Sequence, residues 1–156
     1  MRFISGKAFT LVEILVVVVI LGILAAVAIP KFAGASEDAK ASALQSTLGG
    51  VRSSIAAFRT AAVISGDDPY PTLAELTDGT TIKFEIPANP FSGVSGVQSV
   101  SLSQATNRTV SNESASGWNY HVNNASDPPV VIFYANSSEE TTIRDSDGNA
   151  RGANEI

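Results

Sequence analysis

At 156 residues the chain suffices for one small domain and is too short for two ordinary ones. Hydrophobic residues make up 44% and charged residues 16%, too apolar a mixture for intrinsic disorder, and a net charge of −5 without a basic cluster leaves nucleic acid unexpected as a partner. The chain has no cysteine, one methionine and one histidine, His121, so thiolate metal sites, disulfides and thiol nucleophiles are excluded; no catalytic residues and no enzyme are expected.

From Phe9 to Ile29 the sequence is an apolar run of about membrane-spanning length, broken in charge only by Glu13. Arg2 and Lys7 precede it and the long downstream region is acidic, which keeps the N-terminus cytoplasmic and sends the rest outward. Three readings compete: a permanent anchor, a secretory signal cut after Ala28, and a signal whose apolar part is retained for assembly. Ala26-Val27-Ala28 has the small-x-small form of an ordinary cleavage site. Glu13 argues against that, because a carboxylate inside an apolar span costs about 2.5 kcal/mol or more and marks a specific partner. A cut after Ala8 would create an amino terminus on Phe9, four residues from Glu13 on one helical face, and a neighbouring copy could offer the same group.

After Pro30, apolar residues recur at Leu44, Leu48, Val51, Ile55, Phe58 and Ala62, a four-and-three spacing that predicts an amphipathic helix. Lys40, Gln45, Ser46, Arg52, Ser53 and Arg59 take the opposite side, and Ser65-Gly66-Asp67-Asp68-Pro69 ends it. Pro30, Gly22 and Gly34 predict bending or local melting between positions 22 and 34. Beyond Pro69 the composition shifts to Ser, Asn, Thr and Gly. Pro71–Leu76 reads as a helical turn capped by Thr72. Thr81–Ile86, Val97–Leu102, Trp118–Val122, Val130–Ala135 and Thr141–Arg144 read as strands, with His121 a polar strand residue. A short antiparallel sheet laid on the amphipathic helix would bury both apolar faces, so the fold class is α+β.

Two further features concern sites. Asp145-Ser146-Asp147-Gly148-Asn149 sets oxygen side chains at alternate positions around a Gly turn, which suits a hard cation such as Ca²⁺ and equally suits an ordinary solvated turn. Four Asn-x-Ser/Thr sequons, at Asn107, Asn112, Asn124 and Asn136, are candidate glycosylation acceptors, a motif frequent by chance in such a composition.

Lys7-Ala8-Phe9-Thr10-Leu11-Val12-Glu13, then an apolar helix with Gly22 and Pro30, resembles the N-terminus of type IV pilins and type II secretion pseudopilins. That resemblance implies a type IV pilin-like fold and cleavage between Ala8 and Phe9 by a prepilin peptidase, which methylates the new Phe9 amine. The family favours Gly before the cut; Ala8 keeps the small size. Assembly is implied to rest on Phe9, Thr10, Glu13, Gly22 and Pro30, with Glu13 paired to the Phe9 ammonium of a neighbour. The expected organisation is a leader over 1–8, an apolar transmembrane or filament-core helix over 9–29, an amphipathic helix over 30–65 and a β-rich domain over 66–156 with a C-terminal loop at 145–156. Loss of Arg2 and Lys7 would take the net charge from −5 to −7.

More loosely, Tyr70-Pro71-Thr72, Glu75-Leu76, Asn89-Pro90-Phe91, Gly117-Trp118-Asn119-Tyr120 and Tyr134-Ala135-Asn136 are similar to segments of major-pseudopilin-like proteins. Ser146-Asp147-Gly148, Gly152 and Glu155-Ile156 resemble the calcium-binding tail of such proteins, which implies Asp145, Asp147, Asn149 and Glu155 as metal ligands. The implied function is a subunit of a helical homo-oligomeric filament, held in the inner membrane before assembly and then extracellular or periplasmic. Its implied partners are the peptidase, an inner-membrane assembly platform and minor pilins. The alternatives are a major pseudopilin of a type II secretion system and, more distantly, a secreted soluble domain.

Overall fold

A computed structural model describes residues 9–156. Helix α1 spans Leu11–Ser65 and includes Pro30. The local melting expected between Gly22 and Gly34 is therefore absent: Pro30 withholds one N–H from Ala26, and the remaining ladder carries the helix across that gap. The chain divides into two compact units, residues 1–36 and 37–156, so the boundary falls six residues beyond Pro30.

In the second unit, α1 presents the expected stripe. Ala41, Leu44, Thr47, Leu48, Val51, Ile55 and Ala62 are buried, with Phe58 packed on the same cluster. Leu44, Leu48 and Val51 are excluded from solvent, and each such side chain contributes about 1.5–3 kcal/mol of transfer free energy. The helix stops where the sequence says it must. Gly66 takes φ +78° and the Asp67 N–H donates to the Ala62 carbonyl at 3.0 Å, the six-to-one bond of a Schellman cap that leaves the chain no helical continuation.

The elements that follow are short: α2 (Leu73–Thr77), β1 (Val97–Ser99), α3 (Leu102–Thr106), β2 (Trp118–Asn123), β3 (Val130–Ala135), β4 (Glu140–Arg144) and β5 (Ala150–Gly152), with a 3₁₀ turn at Ala153–Glu155. They form a three-stranded sheet in the order β1-β2-β3 and a separate β4-β5 pair. The fold is α+β, a long N-terminal helix followed by a small sheet domain. The larger sheet is mixed rather than wholly antiparallel. β2 and β3 are antiparallel, with Trp118 opposite Ala135, whereas β1 runs parallel to β2, with Val97 opposite Trp118.

Two sequence expectations change. Thr81–Ile86 forms no strand; Ile82 is buried and Phe84 and Ile86 pack on the core, so the period-two pattern reports alternating burial of an extended segment without a ladder partner. Val97–Leu102 is cut short at Ser99 because Ser101 caps α3. The Ser101 Oγ accepts from the Gln104 N–H at 3.3 Å while the Gln104 side chain accepts from the Ser101 N–H at 3.0 Å. The same box, Thr72 with Glu75, opens α2.

Both faces of β2 and β3 are covered. Trp118, Tyr120, Phe133 and Ala135 join the cluster built on α1, while Tyr134 packs with Val100 and Ala105 of the α3 side. Trp118 stacks on Phe133 with ring centroids 5.4 Å apart and donates its Nε1–H to the Pro87 carbonyl at 2.8 Å. Tyr120 donates to the Pro71 carbonyl at 2.6 Å, and burial pushes its phenol pKa above the ordinary value. Gly117 has to be Gly, since a Cβ there would lie 2.0 Å from the Val94 carbonyl oxygen.

Candidate functional site

Residues 9–36 carry the candidate assembly site. The large apolar side chains from Leu11 to Ile29 are at least half exposed, and none of this span is buried within the chain. A 55-residue helix whose first half is this apolar is long enough to cross a membrane, and such an exposed surface calls for lipid or other helices around it.

Glu13 is the one ionisable side chain between Phe9 and Ile29, and its carboxylate folds back on the helix start. Its Oε2 accepts from the Thr10 N–H and from the Thr10 hydroxyl, both at 2.8 Å, and the Glu13 N–H donates to the Thr10 Oγ1 at 3.2 Å. Thr10-Leu11-Val12-Glu13 is thus a capping box that satisfies two otherwise orphaned donors at the N-terminus of α1. The sequence carried this signal plainly, as Thr followed three residues later by Glu before an apolar run. Among the described residues nothing bonds to Oε1, so the cap leaves one oxygen for a cation. Phe9 is 83% exposed. Ala8, the expected residue before the cut, lies outside the described residues.

Gly22 and Pro30 sit inside α1. A Cβ at Gly22 would meet nothing within 4 Å, so nothing within the chain demands a glycine there. Leu24, Val27, Ala28, Lys31, Phe32 and Ala35 line an open apolar groove along the helix on both sides of Pro30.

The C-terminal oxygen cluster has a different use from the one expected. Asp145 and Asn149 close the β4-β5 hairpin: the Asp145 Oδ1 accepts from the N–H of Asp147 at 2.9 Å and of Asn149 at 2.8 Å. These bonds, that from Asn149 foremost, hold the Asp145 carboxyl below the usual carboxylate range. Glu155 is spent elsewhere, accepting from the Gly152 N–H at 3.1 Å in the 3₁₀ turn. Among the described residues no group of three acidic or histidine side chains stands together as a metal site would need. Asp145 and Glu155 each spend one carboxylate oxygen on backbone N–H groups and keep the other for a further partner.

The four sequons divide in two. Asn107 and Asn112 are exposed. Asn124 is tied to Tyr70 at both ends of its amide, accepting from the Tyr70 N–H at 3.2 Å and donating to its carbonyl at 2.8 Å. Asn136 is fully buried; its Nδ2 donates to the carbonyls of Ser111 and Ser116, both at 2.8 Å, so it is no glycan acceptor in the folded domain.

Residues 6–29 match the family model described as the prokaryotic N-terminal methylation motif. The chain carries that motif. It is also 42% identical over 51 residues to the Type IV narrow pilus major component PilA5 of Thermus thermophilus, a match covering 33% of this chain and 44% of that protein. The similarity thus spans less than half the length of the curated relative. No solved structure matches the chain at a significant level. The chain is thus similar to a methylation-motif N-terminus over residues 6–29 and to part of a type IV pilin.

Proposed function

We propose that the chain is the structural subunit of a type IV pilus-like helical filament. One observation carries this reading: a methylation motif over residues 6–29 heads an apolar helix that buries nothing of its own and holds a single carboxylate, Glu13. Before assembly the helix anchors the subunit in the inner membrane. A prepilin peptidase cuts between Ala8 and Phe9 and methylates the Phe9 amine. An assembly platform then extracts the subunits, whose apolar helices bundle through small and β-branched faces.

Glu13 has two tasks in that bundle. Oε2 keeps the first helical turn closed through Thr10, and Oε1 meets the Phe9 ammonium of a neighbouring copy, because a carboxylate away from water is tolerated only when paired. The sheet domain coats the filament and sets what it touches, which is a structural task and not a catalytic one.

The relative's printed name favours a surface pilus over a secretion pseudopilus. The test is where the chain is found in its native host. Shearing intact cells is expected to release filaments made of this chain. Its confinement to periplasmic fibres would assign it to a pseudopilus instead, and its recovery only as a soluble secreted monomer would overturn both readings.

A further inference from the structure

Ten lysines and arginines serve the whole acidic chain, and three of them converge on one cleft of about 300 Å³. Arg52 and Arg59, seven residues apart on one face of α1, form one wall with Ile55 between them. Tyr70 and Phe133 bring aromatic surface, and Arg108 closes the site from the turn after α3. Arg59 lies over the Tyr70 ring, 5.1 Å from its centroid, and Arg108 over Tyr134 at 5.3 Å.

Arg108 is held there against its own preferences. Its φ is +52°, a left-handed conformation rare for a long side chain, and the Asn154 Nδ2 fixes its carbonyl at 2.7 Å. Its Nη1 is buried without a hydrogen-bond partner. Burial, and then the charges of Arg52 and Arg151, depress its pKa, so the guanidiniums crowd one another. Among the described residues the one side-chain ion pair is Lys40–Glu37; Arg52 donates its Nη2–H to the Ile156 oxygen at 3.0 Å, and no carboxylate side chain answers Arg59 or Arg108.

We propose that this cleft binds a small organic oxyanion, a phosphate or carboxylate carried on an apolar body. Two or three guanidinium groups supply the forked donors that such an anion takes bidentately. Phe133, Ile55 and Tyr70 cover the apolar part. The assignment is independent of the filament reading.

The probe is phenyl phosphate, titrated at near-neutral pH and low salt into the full chain in detergent micelles and followed by amide and arginine resonances. Saturable binding is expected, tighter than for inorganic phosphate, with shifts at Arg108 and Phe133. Arg108→Gln is expected to weaken it by at least about tenfold, the loss of one charge-assisted bidentate contact. Arg59→Gln, at an exposed position, is expected to weaken it similarly, while Arg144→Gln, whose side chain donates to the Gly148 carbonyl in the β4-β5 turn, leaves it unchanged. No saturable binding, or binding equal in Arg59→Gln and Arg144→Gln, would overturn the assignment.

Discussion

Glu13→Leu is expected to enter the membrane as the native chain does and to yield no filaments. Removing the carboxylate relieves an insertion cost of about 2.5 kcal/mol or more, so anchoring is untouched or improved. Assembly is another matter, because the neighbour's ammonium would then be left in an apolar bundle without a counter-charge, a loss of about 3–5 kcal/mol per subunit. The Thr10–Glu13 capping box supplies a second, purely local explanation for any such defect, worth about 0.5–2 kcal/mol. Glu13→Gln separates the two. Glutamine closes the box as well as glutamate and carries no charge. The pairing therefore has Gln failing like Leu, with membrane-fraction blots and filament yield as the readouts. Near-native filament yield from Glu13→Gln would show that the cap was all the position needed.

Asn136→Ala is expected to be the most damaging of the sequon substitutions. The asparagine follows the last residue of β3, fully buried, and ties β2 to the loop at Ser111 and Ser116. Its Oδ1 accepts from the Ser111 N–H and the Asn119 Nδ2, each at 3.0 Å, while its Nδ2 serves the carbonyls of Ser111 and Ser116. Asn119 passes the network on to Gln98 in β1 at 2.7 Å. Alanine strands the Ser111 N–H and the Ser116 carbonyl and leaves the Asn119 Nδ2 only a long contact to the Thr109 carbonyl at 3.5 Å, while the Ser111 carbonyl keeps Gln98, a cost of about 3 kcal/mol. For a chain of this size that lowers the melting temperature by roughly 6–12 °C. Asn107→Gln, at an exposed position, is expected to stay within about 0.5 kcal/mol. Thermal unfolding of the full chain in detergent, followed by near-ultraviolet dichroism of Trp118, compares them. Equal midpoints for the two variants would remove Asn136 from its structural role.

What could be read from the sequence was whatever local spacing encodes. The stripe from Leu44 to Ala62 appears as buried residues, and Ser65-Gly66 ends α1 where the glycine allows a left-handed cap. Trp118–Asn123 and Val130–Ala135 announce themselves by β-branched and aromatic content. Partnership was not encoded so locally. Thr81–Ile86 has the alternation of a strand and no neighbour to pair with, and nothing in Val97–Ser99 says that it runs parallel to β2.

Ser101-x-x-Gln104 and Thr10-x-x-Glu13 have the spacing of capping boxes, masked in the first by apolar residues at 97–102 that suggest a strand and in the second by the pull of a charge partner for Glu13 in a Phe9 amine, its own or a neighbour's. Polar residues were hardest. Asn89, Asn119 and Asn136 look like turn residues in an Asn-rich sequence, yet all three are fully buried, joined by contacts 17 to 28 residues apart. At Asp145 and Glu155 the sequence shows oxygen side chains but not the backbone N–H groups that each of them also serves.

The most direct test of the central claim is intact mass with N-terminal sequencing of the mature chain from its native host. A start at Phe9 carrying one added methyl group is the expected result; it keeps Glu13, the capping box and the apolar helix in the assembled subunit. A start at Ile29 would remove all three and contradict the account, leaving a secreted domain with no means of building a filament.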